Sequence, residues 1–507
     1  MKTPACVYLV GSGPGDPELL TLKAQTLLRQ ADLIVYDYLA NPAHLKHAPE
    51  KSVKICVGRG FRHKKLSQAR INRLIVSAAK KGQTVVRLKG GDPYLFGRGG
   101  EEALFLQRHR IPFQVVPGIT SAVACAAYAG IPLTHRDFSS SVTFLTGHRA
   151  NDKDLDLIPW KNIVSLKKGT IVIYMGFYNL KKIARLLIKN GMSKTTQAAV
   201  IEWGTLGKQR SSSGNLSSIA AQSAALKLEA PCIIVIGNVV SLKKNLNWFE
   251  NLPLFGKKIM LTRARGESRV LREKLESLGA QVMEFPVIQI EPPLSFEAMD
   301  GAIKSLGSYD WVAFSSVHGV RSFFDRLDAL GLDARAFKGC RIAAVGPHTE
   351  EEIRKYGLRT DLVPDRYETK ALVAALEKKM GLLKNRKVLL VRAKIAPGDL
   401  EASLRARGAS VTRVDAYRTL VPSPKPALPV QAVDAITFTS ASTADHFVKL
   451  VGPGKAKALS KKTCFASIGP VTSAALRKHG LKVSCQAVSF TTDGLSETLK
   501  KNLGKKR

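Results

Sequence analysis

The chain has 507 residues, of which 45% are hydrophobic and 23% charged, and it carries 78 Lys and Arg against 40 Asp and Glu. This composition is ordinary for a globular protein, and the length allows about three or four folding units with sizeable cores. The formal net charge of +38 favours anionic partners: nucleic acid, a membrane surface or an acidic small molecule. No long basic run with interleaved aromatic residues accompanies the charge, so solvated surface lysines explain it equally well.

The cysteines and the hydropathy limit the compartment and the chemistry. Seven cysteines lie singly, with no C-x-x-C pair and no histidine at ligand spacing, which predicts reduced core residues and no metal site. No segment approaches the roughly 20 apolar residues of a membrane span. The apolar run near the N-terminus is too short for a signal peptide. We therefore expect a soluble, cytoplasmic protein.

The first half alternates β-branched runs with amphipathic stretches, which is typical of α/β proteins. Strands are predicted at 7–10, 33–36, 84–88, 142–146, 170–174, 198–201 and 232–236. Helices are predicted at 20–29, 69–80, 101–108, 121–129 and 180–189. The loops lengthen around Thr143 and the stretch 152–168 is polar and irregular, which predicts a junction between two lobes there, with a ligand cleft between them.

An Asn-rich stretch, 241–256, separates the first half from a second patterned region. That region begins with a predicted strand and helix and contains an internal duplication. The matching pairs are 311–320 (WVAFSSVHGV) with 435–444 (AITFTSASTA), and 343–349 (AAVGPHT) with 466–472 (ASIGPVT). The repeat predicts a strand, Ser-rich turn and helix, followed by a strand, Gly-Pro turn and helix, in each of two similar lobes.

A glycine-rich turn, 11–17 (GSGPGDP), follows the first predicted strand directly. A dinucleotide-binding loop requires G-x-G-x-x-G opening into a helix whose amides hold a pyrophosphate. Here the spacing differs, and Pro14 and Pro17 each remove a backbone donor. The turn therefore suits an uncharged or cationic ligand better than a phosphate.

Two further glycine motifs follow along the chain: RLKGGDPYLFGR at 87–98, which continues the predicted strand 84–88, and VPGITSA at 116–122. With the turn and the shorter segments GIPLTHR, YMG, EWGT and KQR, they resemble the tetrapyrrole methylases, and within them uroporphyrinogen-III C-methyltransferase. The resemblance covers about residues 4 to 250. It implies a two-lobed α/β methylase fold, S-adenosyl-L-methionine as cofactor, and a homodimer formed through this domain.

The region from about 255 to 500 resembles uroporphyrinogen-III synthase through the duplicated segments and the short motifs TR, FP and YRT. The resemblance implies a two-lobed α/β fold with a discontinuous first lobe and no cofactor. We therefore predict the following bounds: methyltransferase domain 1–245, linker 246–256, and synthase domain 257–503 with lobes 257–290 plus 420–503 and 293–415.

The methylase resemblance assigns the cofactor site to nine positions: Pro14, Gly90, Gly91, Asp92, Leu95, Thr120, Ser121, Met175 and Gly204. From the residues alone, a tight turn explains the two adjacent glycines equally well, and core packing explains Met175. The implied reaction is attack of a pyrrole carbon on a sulfonium methyl group. It needs no metal, and positioning of the reactants supplies most of the acceleration.

Two catalytic positions are implied in the methylase half. Asp37, directly after a predicted strand, matches the proposed general base, although a ribose-binding acid would occupy a similar place. Arg59 stands where the family has a lysine as proton donor. Because arginine stays protonated and its fork binds carboxylates, we expect Arg59 to anchor substrate rather than act as an acid.

Further basic residues are candidates to meet the carboxylates of uroporphyrinogen: Arg87, Lys89, Arg98, His135, Arg136 and Arg149. In the synthase half, Tyr417 matches the candidate acid for cyclisation. The hydroxyl residues expected to bind carboxylates there are Ser316, Thr439, Ser440 and Thr472. For each of them a turn-capping role is at least as good an explanation.

Together these features predict a bifunctional enzyme that cyclises hydroxymethylbilane to uroporphyrinogen III and methylates it twice to precorrin-2. Siroheme and cobalamin remain open as end products. Two alternatives remain: a methylase of a later corrin intermediate, and a basic nucleic-acid-associated protein suggested by the net charge alone. Neither a membrane partner nor a specific nucleic-acid partner is expected.

Overall fold

The computed structural model describes residues 6–58, 66–147, 155, 157–166, 168–264, 268–365, 369–380, 383–396, 398–423, 428 and 432–504. Two predicted site residues, Arg59 and Arg149, lie outside the described residues. The chain divides into two compact units: Met1–Ile259 with Leu271–Val282 and Leu499–Arg507, and Met260–Val270 with Met283–Thr498. Among the described helices, none has the length and apolar character that a bilayer crossing requires.

The first sheet is built from five strands: β1 (Val7–Gly11), β2 (Leu33–Tyr36), β3 (Val53–Cys56), β4 (Val85–Lys89) and β5 (Phe113–Val116). Their order is β3-β2-β4-β1-β5, and every pair is parallel. The helices of this lobe are α1 (Leu22–Gln30), α2 (Gln68–Lys80) and α3 (Gly99–Arg108), and the next helix, α4 (Ser121–Tyr128), packs against the second sheet described below. Apolar side chains pack on both faces of the sheet, which explains the continuous apolar runs of β1, β2 and β4.

The second sheet mixes strand directions. Its strands are β6 (Ser141–Thr146), β7 (Gly169–Tyr174), β8 (Gln197–Glu202), β9 (Arg210–Asn215) and β10 (Cys232–Ile236). The order is β6-β7-β10-β8-β9, with only β6 and β7 parallel among these neighbours. Helices here are α5 (Trp160–Ser165), α6 (Leu180–Lys189), α7 (Ile219–Ala225) and α8 (Lys243–Leu246).

The chain changes sheets just before Ser141, close to the lengthened loops predicted around Thr143 but well before the polar stretch 152–168, so the prediction of a junction in that stretch is wrong. Strand β6 already pairs with β7 from Ser141 onward, and the chain changes sheets between the end of β5 at Val116 and Ser141. The described residues of the polar stretch belong to the second lobe. They include α5, where Trp160 and Ile163 are buried.

Two more five-stranded sheets form the C-terminal half. The strands are β11 (Lys258–Leu261), β12 (Gln281–Glu284), β13 (Gln289–Glu291), β14 (Trp311–Phe314), β15 (Arg341–Ala344), β16 (Lys387–Ala393), β17 (Ser410–Leu420), β18 (Ala435–Phe438), β19 (Cys464–Ser467) and β20 (Cys485–Gln486). The orders are β12-β11-β18-β19-β20 and β13-β17-β16-β14-β15. Strands β13 and β17 pair antiparallel, with Gln289 opposite Leu420. The predicted domain and lobe bounds stay predictions.

The helices of this half are α9 (Arg269–Ser277), α10 (Glu297–Lys304), α11 (Val317–Ala329), α12 (Pro347–Arg354), α13 (Thr369–Met380), α14 (Asp399–Arg405), α15 (Ala441–Val451), α16 (Pro453–Lys462), α17 (Pro470–Lys478) and α18 (Thr492–Leu503). The predicted duplication is present. Ser316 caps α11 after β14, and Ser440 caps α15 after β18. A Gly-Pro pair likewise begins α12 after β15 and α17 after β19.

Candidate active site

Three loops meet at the carboxyl end of the parallel sheet, just beyond β1, β4 and β5. A Cβ atom built on Gly11 would lie 2.5 Å from the nitrogen of Gly118 and 2.6 Å from the oxygen of Gly91. Side chains do not fit at such distances, so this crossing requires glycine. The three glycine motifs of the sequence are therefore in direct backbone contact.

The backbone amides of this crossing donate inside the protein. Ser12 N–H donates to the carbonyl of Lys89 at 2.7 Å. Gly13 and Gly91 exchange two N–H···O bonds of 3.2 and 2.8 Å. A bound pyrophosphate would need these donors free. The arrangement therefore counts against a dinucleotide and agrees with an uncharged or cationic ligand.

Asp92 fastens the second motif to the third. Its Oδ1 accepts the N–H groups of Tyr94 and Leu95 at 2.8 and 3.1 Å, and its Oδ2 accepts that of Gly118 at 3.0 Å. Both carboxylate oxygens are thus engaged in holding the loops. The side chain of Asp92, one of the predicted cofactor positions, thus holds the two loops together.

The second sheet joins the site through Tyr174, the last residue of β7. Its hydroxyl accepts the Ala122 N–H at 3.2 Å and lies 2.5 Å from Oγ1 of Thr120. Thr120 is the N-cap of α4, and Ser121 is the first residue of that helix. The contact ties the start of α4 to the strand end that precedes Met175.

A second loop of this lobe closes against α4 at Gly204. A Cβ atom there would overlap the sulfur of Cys125, so glycine is again required. Burial raises the pKa of the Cys125 thiol to about 12, which leaves the thiol neutral. The N–H of Asp16 donates to Oγ1 of Thr205 at 3.0 Å and joins the Pro14 turn to this loop.

Met175 is exposed, which excludes the core-packing explanation. Its relative exposure is 51%, and its φ of 54° lies in the left-handed region, where residues other than glycine are uncommon. Such strained conformations persist where the surrounding structure enforces them, and they cluster at ligand sites. The contacts described above place all nine predicted cofactor positions in one connected set of loops.

Asp37 follows β2 and belongs to a buried ionic cluster. Its Oδ1 accepts from Arg87 at 2.5 Å, while its side chain keeps 32% exposure. Glu102, on α3, accepts from Arg87 Nε at 3.0 Å and from Lys89 Nζ at 2.9 Å. Arg87, Lys89 and Glu102 are all buried. Arg87 and Lys89, predicted to meet substrate carboxylates, are thus directed at protein carboxylates in the interior.

The pKa values of Arg87 and Lys89 are shifted in opposite directions. Burial disfavours the charged form of Arg87, but the carboxylates of Asp37 and Glu102 outweigh it and raise the pKa of Arg87. Burial, followed by the positive charge of Arg87, lowers the pKa of Lys89. Glu102 is the shared counter-charge of both.

Three other predicted substrate contacts lie at the surface of the methylase half. Arg98 is exposed and pairs in bidentate geometry with Glu101. His135 is partly exposed, with Nδ1 3.6 Å from Oδ2 of Asp137, and Arg136 is exposed. Because Arg98 is paired with Glu101, this ion pair must break before the guanidinium group of Arg98 can bind a carboxylate of the substrate.

In the C-terminal half, Tyr417 and Ser316 come together. The two hydroxyl oxygens lie 3.1 Å apart, and the His318 ring centroid is 5.3 Å from that of Tyr417. Tyr417 is buried in β17, where it joins the apolar core of this lobe. Ser316 Oγ also accepts the N–H of Gly319 at 3.1 Å, so its capping role is present.

The other three hydroxyl candidates belong to the lobe of β18 and β19. Ser440 Oγ accepts the N–H of Thr443 at 3.2 Å within a capping box. Thr439 is partly buried between β18 and α15, and Thr472 is buried in α17. The Ser440 hydroxyl thus caps α15 and also lies 2.9 Å from the hydroxyl of Ser442.

Two families of known proteins match the chain. Residues 6–220 match the tetrapyrrole (corrin/porphyrin) methylases, and residues 269–497 match uroporphyrinogen-III synthase HemD. The porphyrin biosynthesis protein HemD of Ruminiclostridium josui is 37% identical over 481 residues, 94% of each chain. The chain is a fusion of a tetrapyrrole methylase and a uroporphyrinogen-III synthase.

Two further similarities concern the methylase half. The uroporphyrinogen-III C-methyltransferase of Bacillus subtilis is 39% identical over 360 residues, 71% of this chain and 73% of the relative. A crystal structure of uroporphyrin-III C-methyltransferase from Thermus thermophilus, complexed with S-adenosylhomocysteine, is 36% identical. The similarity covers 46% of this chain and 99% of the T. thermophilus chain, with a TM-score of 0.40.

Glu102 is the site residue that sequence reasoning missed. A signal was present, because Arg87 and Lys89 are two positions apart on a strand and therefore share a face. That strand is a continuous part of a parallel sheet, whose faces are both buried. Two buried cations on one face require a buried carboxylate, and a candidate pair at 101–102 closely follows the methylase motif at 87–98.

Replacement of Gly11 tests the backbone crossing of the methylase half. Gly11→Ala forces the motif loops apart and is expected to destabilise the protein by about 3 kcal/mol or more. Gly100→Ala is the matched control, since nothing lies within 4 Å of its Cβ position on α3. Its stability should be unchanged or higher by up to about 1 kcal/mol. Calorimetric unfolding of the full chain measures both, and equal stability of the two variants would contradict the crossing.

Proposed function

We propose that the chain makes uroporphyrinogen III from hydroxymethylbilane in its synthase half and methylates it twice to precorrin-2 in its methylase half. The observation that carries the proposal is the pair of families in one chain, since the product of the first reaction is the substrate of the second. The relative in R. josui that is similar across both halves is a porphyrin biosynthesis protein. A cytoplasmic location and a homodimer formed through the methylase half belong to the same proposal.

S-adenosyl-L-methionine is the cofactor we assign to the methylase half. The glycine crossing fits it, because the occupied amides offer nothing to a phosphate and the sulfonium needs no anion-binding donors. The residues that would hold it are Pro14, Gly90, Gly91, Asp92, Leu95, Thr120, Ser121, Met175 and Gly204. When bound, it supplies an electrophilic methyl group to a pyrrole carbon.

Asp37 is the base in this mechanism. Methylation of a pyrrole carbon leaves a proton that must depart, and a carboxylate at a strand end can accept it. Arg87 holds Oδ1 of Asp37, so Oδ2 is the oxygen available to take the proton. The partial exposure of Asp37 lets substrate approach that oxygen.

Tyr417 is the acid that we assign to the synthase half. Loss of the hydroxyl group of hydroxymethylbilane as water requires a proton, and the phenol of Tyr417 can deliver it while Ser316 orients the phenol at 3.1 Å. The resulting azafulvene cation closes the ring with inversion of the last pyrrole. The hydroxyls of Ser316, Thr439, Ser440 and Thr472 and nearby helix-start amides are the proposed carboxylate contacts.

Incubation of the purified chain with hydroxymethylbilane tests both activities together. Without S-adenosyl-L-methionine we expect uroporphyrinogen III, and with it a product heavier by two methyl groups, followed by absorbance and mass. Methylation of corrin intermediates with no turnover of uroporphyrinogen III would favour the alternative of a methylase that acts on a later corrin intermediate. Salt-sensitive retention on DNA without either activity would favour the nucleic-acid alternative.

Met175→Ala tests the cofactor site. Loss of this exposed side chain should weaken S-adenosyl-L-methionine binding about tenfold, or about 1.4 kcal/mol, measured by titration calorimetry. Leu166→Ala is the control, because Leu166 is 50% exposed and lies just before the other end of β7. Equal affinity of Met175→Ala and the unmodified protein would remove Met175 from the site.

Ser440→Asp separates capping from substrate binding in the synthase half. Aspartate caps helices as well as serine does, so stability should stay within about 0.5 kcal/mol, whereas Ser440→Ala should lose about 1 kcal/mol. A carboxylate at this position repels a carboxylate of hydroxymethylbilane, and synthase kcat/KM should fall at least about tenfold. Methylation of added uroporphyrinogen III is the internal control. Full synthase activity in Ser440→Asp would leave Ser440 with capping alone.

A further inference from the structure

Glu102 binds two buried cations, Arg87 and Lys89, which lie on the same face of β4. Its side chain is 1% exposed. Gln68 Nε2 also donates to Oε1 at 2.9 Å, so α2 supports the carboxylate from a second side. The carboxylate is therefore fixed between two helices and the sheet.

Arg87 is the link between Glu102 and the exposed end of the cluster. Its Nε binds Glu102, and one terminal nitrogen donates to the carbonyls of Val35 and Leu88 at 3.3 and 3.4 Å. The other terminal nitrogen binds Asp37. With every edge of the planar guanidinium engaged, its position dictates where Oδ1 of Asp37 lies.

The charges of the cluster balance when both carboxylates are ionised, two against the two cations Arg87 and Lys89. Removing the charge of Glu102 would leave two buried cations facing Asp37 alone. The side chain of Lys89 would then lose its carboxylate partner, and Asp37 would be drawn toward the interior. The base would move away from the substrate side without any change in the cofactor loops.

We infer that Glu102 is a positioning residue for the methylation step, acting through Arg87 to hold Asp37 at the end of β2 with Oδ2 available for the proton. The inference rests on the proposed function, in which Asp37 is the base. Glu102 itself, buried beneath β4, does not contact substrate. Its effect is confined to the methylase half.

The test is a double-mutant cycle in the full chain with Glu102→Gln, Asp37→Asn and the combined variant. Glu102→Gln should lower methylation kcat at least about tenfold while KM for S-adenosyl-L-methionine changes less than about twofold. Because Glu102 acts through Asp37, the combined variant should be no slower than Asp37→Asn. Unchanged S-adenosyl-L-methionine affinity of the same preparations, measured by titration calorimetry, reports that the methylase half is folded.

Two further variants keep the test decisive if Glu102→Gln folds poorly. Glu102→Asp retains the charge and should recover part of kcat. Arg87→Lys retains the charge of the link but loses the fork, and it should be non-additive with Asp37→Asn in the same way. Glu250→Gln is the matched control: Glu250 is a largely buried carboxylate, 2.7 Å from Lys243 and distant in sequence from the cluster. The fold change in methylation kcat caused by Glu250→Gln should multiply with that of Asp37→Asn, as expected for residues that act independently.

The outcomes separate the two claims. If Asp37→Asn is slow and its effect multiplies with that of Glu102→Gln, Glu102 is a structural residue and the inference fails while the proposed base stands. If Asp37→Asn turns over normally, the base assignment fails and the inference fails with it. Non-additivity of Glu102→Gln, with Glu250→Gln multiplicative, supports the inference.

Discussion

The close approach of Gly11 to Gly118 and Gly91 is the constraint on which the methylase half depends. Strand β1 lies between β4 and β5, and in a parallel sheet the three strands end at the same edge. Only glycine lets their outgoing loops cross there at backbone distance. Once crossed, the loops are bonded by their own amides, and Asp92 fixes them further. The site is thus built mainly from backbone, and its shape follows from the sheet.

Beneath that edge, the residues proposed to position the base are also the buried charges that the fold must neutralise. Arg87 and Lys89 lie on β4, a strand whose side chains are buried on both faces of the sheet. Two cations there are tolerable only because Glu102 and Asp37 together neutralise them, and a buried pair is strongly destabilised when one member is removed. The synthase half uses a different solution, in which hydroxyl groups such as Ser316 both cap helices and face the acid candidate.

Much of the architecture could be predicted because buried strands and amphipathic helices leave periodic patterns. The predicted bounds of β2, α6 and β10 agree with the structure, and the Ser-rich turns predicted the caps of α11 and α15. Strand β9 was missed because its sequence, RSSSGN, is a polar edge strand with little apolar signal. The pairing of Arg87 with protein carboxylates was missed for another reason. It depends on which residue lies opposite in space, and periodicity does not report that.

The occupied amides of the glycine crossing have a consequence for selectivity. ATP and the nicotinamide dinucleotides carry the same adenosine group as S-adenosyl-L-methionine, and they differ from it chiefly in their phosphates. At this crossing Ser12, Gly13, Gly91 and Gly118 already donate to protein acceptors. A phosphate placed there would lose its water and gain no donor in return, whereas a sulfonium needs no N–H donor. Hydrogen bonding within the backbone thereby discriminates among adenosine-containing metabolites without a charged side chain that repels them.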